Sequence, residues 1–474
     1  MSLLYVSLLL VACSTGEPDG PDRGEERSEE REARQAPNFV LVLVDDMRAD
    51  ELGMVPRLRT LLGEKGTTFE NSFVTNPVCC PSRATLLTGL YSHNHGVMTN
   101  FPPSGGYERF VERGLGERTL AALLDRHGYR TALYGKYLNG YAGEGVPPGW
   151  DEWGAFAGSP ARGFATLTPD GEAKRLAPGT FADDLAGSAA EAFVREGGPQ
   201  PFFLALWLTS PHVPYRPPPR HADSHDGQTF RRPPSFNEAD VSDKPGWLQA
   251  REPLEEGEVD RTWRGREARL EELEAVADYI GDLLGALEDR GELGDTYVLF
   301  TSDNGLALGE HRVRGKGSPY EESVRVPLVV QGPGVPEGAT RDELVLNNDV
   351  APTVADWAGL PSMVGADGRL LSPLLGDGTN IPWRDAFLVE HRRVPGSASP
   401  PITTYRAVRT ADHLYVEYET GEEELYDLRR DPYQLESVHD TADPALLGRM
   451  RGRLEALEGC EGQACRKAED GPIP

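Results

Sequence analysis

The sequence predicts an α/β fold, with a large doubly wound, mixed but mostly parallel sheet flanked by helices. A smaller α+β domain containing a short antiparallel sheet is expected to follow it. Three observations carry this. The run NFVLVLV at 38–44 is apolar without alternation, as expected of a strand buried on both faces of a parallel sheet. Amphipathic helical stretches then alternate with short apolar runs as far as residue 375. From Trp383 onward the segments FLVEH, TYRAVRT and HLYVEYETGEEELYDL are short and separated by turn signals.

In chain order, residues 1–13 read as a leader. The apolar stretch Leu3 to Ala12 is too short to span a bilayer but suits the core of a signal peptide, although no Lys or Arg precedes it. Leu10-Val11-Ala12-Cys13 resembles a bacterial lipobox, which implies a lipid anchor at Cys13 and an exported, periplasmic or outer-face protein. The alternative is an ordinary secretory signal and a soluble secreted chain. Residues 14–36 are charged and nearly devoid of apolar side chains, so they are expected to be a disordered tether. The larger domain is assigned to 37–375 and the smaller to 376–474.

Within the larger domain, VPRLRTLLGEKG predicts a helix stopped at Gly66. ERTLAALLDRHGY predicts a helix leading into the strand RTALYGKYL, and DDLAGSAAEAFVRE one leading into PFFLALWLTSPH. Residues 216–262 are rich in Pro and charge without periodicity, and read as a long surface excursion at a substrate rim. The helix REARLEELEAVADYIGDLLGALEDRG then precedes the strand TYVLFTSDNG, followed by RVPLVVQGPG and the helix NDVAPTVADWAGL.

The formal net charge of −28 excludes a nucleic-acid partner, and no basic stripe offsets it. It leaves room for an anionic substrate in a locally positive pocket. Of five cysteines, Cys460 and Cys465 are close enough for a local disulfide, plausible in an exported protein, and Cys80 is expected to be unpaired and buried.

Chemistry concentrates at two strand ends and one helix start. LVLVDD supplies Asp45 and Asp46, and VLFTSDNG supplies Asp303 and Asn304. In open α/β sheets ligands bind beyond the carboxyl ends of strands. Carboxylates converging there repel one another unless a cation lies between them, and oxygen donors favour Ca²⁺, with Mg²⁺ second. A single pair would serve equally well as helix caps; two pairs favour a metal. The third element is NPVCCPSRATLLTG at 76–89. Pro81 suits a first helical turn and places Cys79 just ahead of the helix N-terminus, where the dipole and free N–H groups favour negative charge. Arg83 on that turn reaches back over the same spot.

CCPSRATLLTG matches the signature Cys-x-Pro-Ser-Arg followed by Leu-Thr-Gly, and the chain resembles the formylglycine-dependent sulfatases of the alkaline-phosphatase-like superfamily. DD after the first strand, YGKYLNGY, SPHVP, SDNG and KGSPYEESVRVP follow in family order, over roughly residues 37 to 455. CCPSR, GKYLN, NEADVSDKP and ELYDLRRDP look most like the N-acetylglucosamine-6-sulfatase and extracellular endosulfatase branch.

The resemblance implies that Cys79 is oxidised to formylglycine by a formylglycine-generating enzyme. It further implies that Asp45, Asp46, Asp303, Asn304 and modified Cys79 bind Ca²⁺, and that Arg83 stabilises the aldehyde hydrate. Lys136, His212 and Lys316 would hold the sulfate oxygens, with His212 or Lys316 assisting departure of the alcohol. The implied reaction is hydrolysis of a sulfate ester, through attack by a hydrate hydroxyl on sulfur. The implied substrate is a sulfated carbohydrate such as 6-O-sulfated N-acetylglucosamine, or an aryl sulfate. Many relatives carry a histidine where this chain has Leu138 followed by Asn139, so the base for the collapse step is open between His95 and His311. Either could equally be an outer or surface histidine. His391, His413 and His439 are expected on the solvated surface, and Arg216, Arg220, Arg231 and Arg232 either form a basic lip or are solvated loop charges. Hydrolysis of phosphodiesters or phosphonates is the enzymatic alternative; a glycan-binding protein with unmodified Cys79 is the other.

Overall fold

The computed structural model describes residues 36–158, 180–376, 381–393 and 401–472. The leader, Cys13 and the tether up to residue 35 lie outside them. Asn38–Val44 forms the expected strand, buried at every position. Its side chains divide between two cores, with Phe39, Leu41 and Leu43 on one face and Val40, Val42 and Val44 on the other. Each such side chain contributes about 1.5–3 kcal/mol by leaving water, which is why neither face tolerates a polar residue.

This strand lies near the middle of an eight-stranded sheet ordered Ala339–Arg341, Thr67–Phe69, Leu328–Gln331, Thr296–Ser302, Asn38–Val44, Phe202–Trp207, Arg130–Gly135 and Glu152–Ala155. Leu328–Gln331 runs antiparallel to both neighbours, and the other pairings are parallel. One face is covered by the helices Cys79–Thr88, Leu120–Asp125 and Val350–Trp357. The other is covered by Ala182–Glu196 and Glu256–Asp289.

Two boundaries differ from expectation. The long helix begins at Glu256, ahead of Arg266, so residues 256–262 leave the excursion for the helix. Its first turns are mostly charged and show no apolar stripe, and the start is fixed instead by a cap in which the Glu255 N–H donates to Glu258 Oε2 at 3.2 Å. Cys79 is the first residue of its helix, with Val78 at the cap, one position further in than the placement of Pro81 suggested.

The C-terminal region forms a four-stranded antiparallel sheet of Ala386–His391, Tyr405–Thr410, His413–Tyr418 and Glu423–Asp427 in sequence order. A helix at Pro444–Glu458, which the sequence reading did not anticipate, buries Met450, Leu454 and Leu457 against it. The core of this sheet includes Phe73, Tyr91, Val324, Leu344 and Leu346 from the larger part, so among the described residues the two share a core. His391 is buried on the last position of its strand rather than solvated. Cys460 and Cys465 are disulfide-bonded, whereas Cys80 is unpaired and buried.

The junction carries a buried ionic cluster. Arg384 Nη1 and Nη2 donate to the two carboxylate oxygens of Asp349 at 2.5 and 2.6 Å, and its Nε donates to Glu469 at 3.0 Å. All three side chains are fully buried. Arg384→Ala leaves Asp349 in a dry interior without its cation, while Glu469 keeps Arg369, and is expected to lower the unfolding free energy by about 3–5 kcal/mol in urea titrations.

Candidate active site

The parallel register brings the two acidic strand ends together. Val44 is the partner of Ser302, so Asp45 and Asp303 leave adjacent strands at the same level. The Asp303 N–H donates to Val44 O at 3.1 Å, and the Asp45 N–H to Ser210 O at 3.0 Å. Asp46 turns into the left-handed region at φ 71°, which a non-glycine residue adopts only when its surroundings hold it there. Its N–H donates to Asp303 Oδ1 at 3.2 Å, and its Oδ1 accepts from Asn304 Nδ2 at 2.6 Å.

Asp45, Asp46 and Asp303 are fully buried, and cations compensate them. Arg83 Nε donates to Asp303 Oδ2 at 2.8 Å, and its Nη2 lies 3.5 Å from Asp45. The same guanidinium packs over Trp207, 5.4 Å from the ring centre. Lys136 Nζ donates to Asp45 Oδ2, and Lys316 Nζ to Asp46 Oδ1. Lys136 follows the end of its strand, positioned by its own N–H donating to Trp207 O at 2.7 Å. His212 Nε2 is 3.8 Å from Asp46 Oδ2. Its Nδ1 sits 2.6 Å from Val213 O, which assigns the Nδ1 proton to that carbonyl and leaves Nε2 facing the cluster.

Cys79 stands inside this group. Lys316 Nζ is 2.7 Å from its Sγ, and Asp45 Oδ1 is 3.4 Å away. Burial, reinforced by Asp303 and Asp45, pushes the Cys79 thiol up to about 12. As a thiol it is therefore protonated at neutral pH and a poor nucleophile. Against the opposing effect of burial, Lys136, His212, Lys316 and Arg83 hold the Asp45 carboxyl well below its usual range. Burial and Asp45 push Asp303 in the other direction.

Ligand atoms of Asp45, Asp46, Cys79 and His212 all lie within 4.8 Å of one another. Asn304 Oδ1 is buried beside them without a hydrogen-bond partner, an oxygen donor that a hard cation would satisfy. With Asp303 bonded to the Asp46 backbone, these groups could hold Ca²⁺ or Mg²⁺; His212 stands nearer this group than the sequence reading placed it.

Two expected residues are not brought here. His95 is buried behind the signature helix, where its Nδ1 accepts from the Val97 N–H at 3.0 Å and its Nε2 bonds Thr85 Oγ1 at 3.0 Å. His311 is buried with Nδ1 2.7 Å from Glu238 Oε2, and stacks on Tyr320 with ring centres 4.3 Å apart. None of these bonds reaches Cys79. The excursion divides as well. Arg220 and His221 pair with Asp278, and His225 with Glu274, along the flank of the long helix. Further on, Asn237 and Glu238 meet the segment 309–312. Arg220 is thus an ion-paired flank residue rather than part of a basic lip, whereas Arg232 packs over Phe236 and Trp263 and stays exposed.

The sequence reading missed Asp183 and Arg269. Asp183 accepts from the N–H and hydroxyl groups of both Thr209 and Ser210, just ahead of His212. Arg269 bonds Glu51 and the carbonyls of Asp46 and Pro211. The available signal was placement, because Arg266 and Arg269 continue the apolar stripe Leu270, Leu273, Ala277, Ile280 of the long helix.

Comparison with known proteins bears on the chain as a whole rather than on single residues. The Sulfatase family model matches residues 37–360, and the model for the N-sulphoglucosamine sulphohydrolase C-terminal region matches 309–459. The chain is 33% identical to N-acetylglucosamine-6-sulfatase of Capra hircus, over 91% of this chain and 85% of that protein. It is 34% identical to the Extracellular sulfatase SULF-1 homolog of Drosophila melanogaster, over 75% of this chain and 33% of that one. In fold it is similar to a solved protein in complex with its substrate D-glucosamine-2-N,6-O-disulfate, with a TM-score of 0.78 at 23% identity, covering 89% of this chain and 97% of that one.

Two measurements check this geometry. Ca²⁺ supplied at about a hundred times its Kd should raise the unfolding free energy by about 2.7 kcal/mol, and Asp46→Ala or Asn304→Ala should remove that gain. Separately, burial holds His95 down at about 3, against about 6.5 for an unfolded histidine. Between those values the unfolded chain binds more protons, so the stability due to the neutral ring is complete above about pH 6.5 and is lost as pH falls toward 3. Urea titrations at pH 7 and pH 5 should show a smaller acid loss in His95→Asn than in the wild type.

Proposed function

The chain belongs to the sulfatase family, and from that premise we propose that it removes 6-O-sulfate from glucosamine units of sulfated glycans, with Cys79 working as formylglycine. As a sulfuric ester hydrolase it must bind a sulfate ester, stabilise charge on the sulfuryl oxygens and release an alcohol. The observation that carries the reading is the convergence of Lys316, Lys136, Arg83 and His212 on the carboxylate cluster that surrounds Cys79 at a helix start. Lys316 lies 2.7 Å from Cys79 Sγ in that group.

The expected resident groups are a formylglycine hydrate, which supplies a hydroxyl nucleophile that a thiol at about 12 does not, and Ca²⁺ (Mg²⁺ second), which offsets charge on sulfate. Asp45, Asp46, Asp303 and Asn304 would hold the cation. Arg83, buried between Asp303 and Asp45, fixes the first turn of the signature helix against both strand ends. The Lys136 and Lys316 ammonium groups bind the non-bridging sulfate oxygens, where charge grows as the ester bond breaks. With both ring nitrogens protonated, His212 gives its Nε2 proton to the departing sugar oxygen while the Nδ1–H stays anchored on Val213 O. Asp303, fixed by the Asp46 N–H and by Arg83 Nε, would accept the proton that residue 79 gives up.

The glucosamine assignment draws on the Capra hircus relative, an N-acetylglucosamine-6-sulfatase by name, and on the solved protein whose substrate is D-glucosamine-2-N,6-O-disulfate. Export agrees with the extracellular relative and with the Cys460–Cys465 disulfide, which persists in oxidising compartments. A lipid anchor at Cys13 and a formylglycine-generating enzyme during maturation complete the proposal.

A desulfation screen over defined sulfated mono- and disaccharides, aryl sulfates, phosphodiesters and phosphonates tests it. Release of 6-O-sulfate from glucosamine units is expected to dominate, and to fall by at least about 10³-fold in Cys79→Ala, with removal of the covalent nucleophile. A clear preference for diesters, or an unmodified thiol at Cys79 in protein from its native host, would overturn the reading.

A further inference from the structure

We propose that Arg269 is a positioning residue that holds Asp46 and His212 in register across the active site; this rests on the reading that Asp46 binds the cation. Arg269 projects from the long helix and is fully buried. Its Nη2 donates to Asp46 O at 2.6 Å, and its Nη1 to Pro211 O at 2.9 Å. Pro211 directly precedes His212. The remaining edge is fixed by Glu51, whose carboxylate accepts from Nε at 2.9 Å and from Nη2 at 2.7 Å. Glu51 is itself buried and accepts from the Arg48 N–H at 3.1 Å, so the guanidinium is anchored to the turn that follows Asp46.

One rigid planar group therefore sets the carbonyl ends of the two segments that bring Asp46 and His212 to the cluster. Asp46 requires such support, because its φ of 71° is strained for a residue with a Cβ. A lysine preserves the buried charge but cannot serve both carbonyls and both carboxylate oxygens from one planar fork. Asp183 supplies the contrast. It grips Thr209 and Ser210 from the helix Ala182–Glu196, and all its bonds lie on the His212 turn.

The test is calorimetric titration of Ca²⁺ onto the metal-free full-length chain, with kcat and KM measured in parallel on an aryl sulfate. Arg269→Lys keeps a cation beside Glu51. The double variant Arg269→Met with Glu51→Leu replaces the ion pair by apolar side chains of similar bulk, a change that folded interiors tolerate. Both should bind Ca²⁺ about 10–100-fold more weakly, with a comparable loss in kcat and KM changed less than about threefold. Asp183→Asn should lower kcat while Ca²⁺ binding stays at the wild-type value. Wild-type Ca²⁺ affinity in either Arg269 variant overturns the proposal, as does an equal loss of affinity in Asp183→Asn, which would mean general loosening. Asp46→Ala separates the premise from the inference. Unchanged Ca²⁺ binding there removes the metal assignment itself; loss there with normal binding in the Arg269 variants removes only the positioning role.

Discussion

The site depends on one electrostatic constraint, the burial of three carboxylates at the ends of two neighbouring parallel strands. Asp45, Asp46 and Asp303 are each at most 2% exposed, and like charges so close cannot all stay ionised in a dry interior without compensation. Arg83, Lys136 and Lys316 supply three cations from three different segments, and His212 borders them. The carboxylates need the cations for burial, and three cations against three carboxylates balance the cluster in formal charge.

That constraint explains the local architecture. A parallel pairing with Val44 opposite Ser302 delivers the carboxylates at one level, which a hairpin could not do for segments so far apart in sequence. The signature helix points its first turn at them, and Arg83, one turn in, ties Asp303 to the Lys136 and Tyr137 carbonyls. The C-terminal sheet braces the same helix start, with the Glu390 N–H donating to Thr75 O at 2.8 Å, four residues before Cys79.

Legibility in the sequence followed the range of the interaction. NFVLVLV announced a doubly buried strand because burial on two faces leaves a direct imprint on composition. DD, SDNG and CCPSR announced the chemistry because carboxylates, an amide and a cysteine at strand and helix ends have few other uses together. Arg269 left only a faint imprint, a charge where the stripe called for an apolar residue, and its partners lie more than fifty residues away. His95 and His311 misled for a related reason. Their nearness in sequence to Arg83 and Lys316 suggested nearness in space, but the chain turns at Gly89 and returns His95 to Thr85 on the signature helix, and Glu238 holds His311 on the side of the excursion. The start of the long helix was hidden because its first turns are set by a cap and not by an apolar face.

The paired cysteines show how one residue of offset separates two fates. Both thiols are driven up to about 12, first of all by burial, so neither is distinguished by its own acidity. Their surroundings distinguish them. Cys80 belongs to the apolar core under the sheet, and its N–H is fixed by Asn100 Oδ1 at 2.8 Å. Cys79 points instead into the charged group, touching Lys316 and Asp45. Successive residues of a helix lie about 100° apart, so one turn cannot aim both side chains at the same place. One step along the helix thus sends Cys79 to the charged group and Cys80 to the core, although burial acts on both thiols alike.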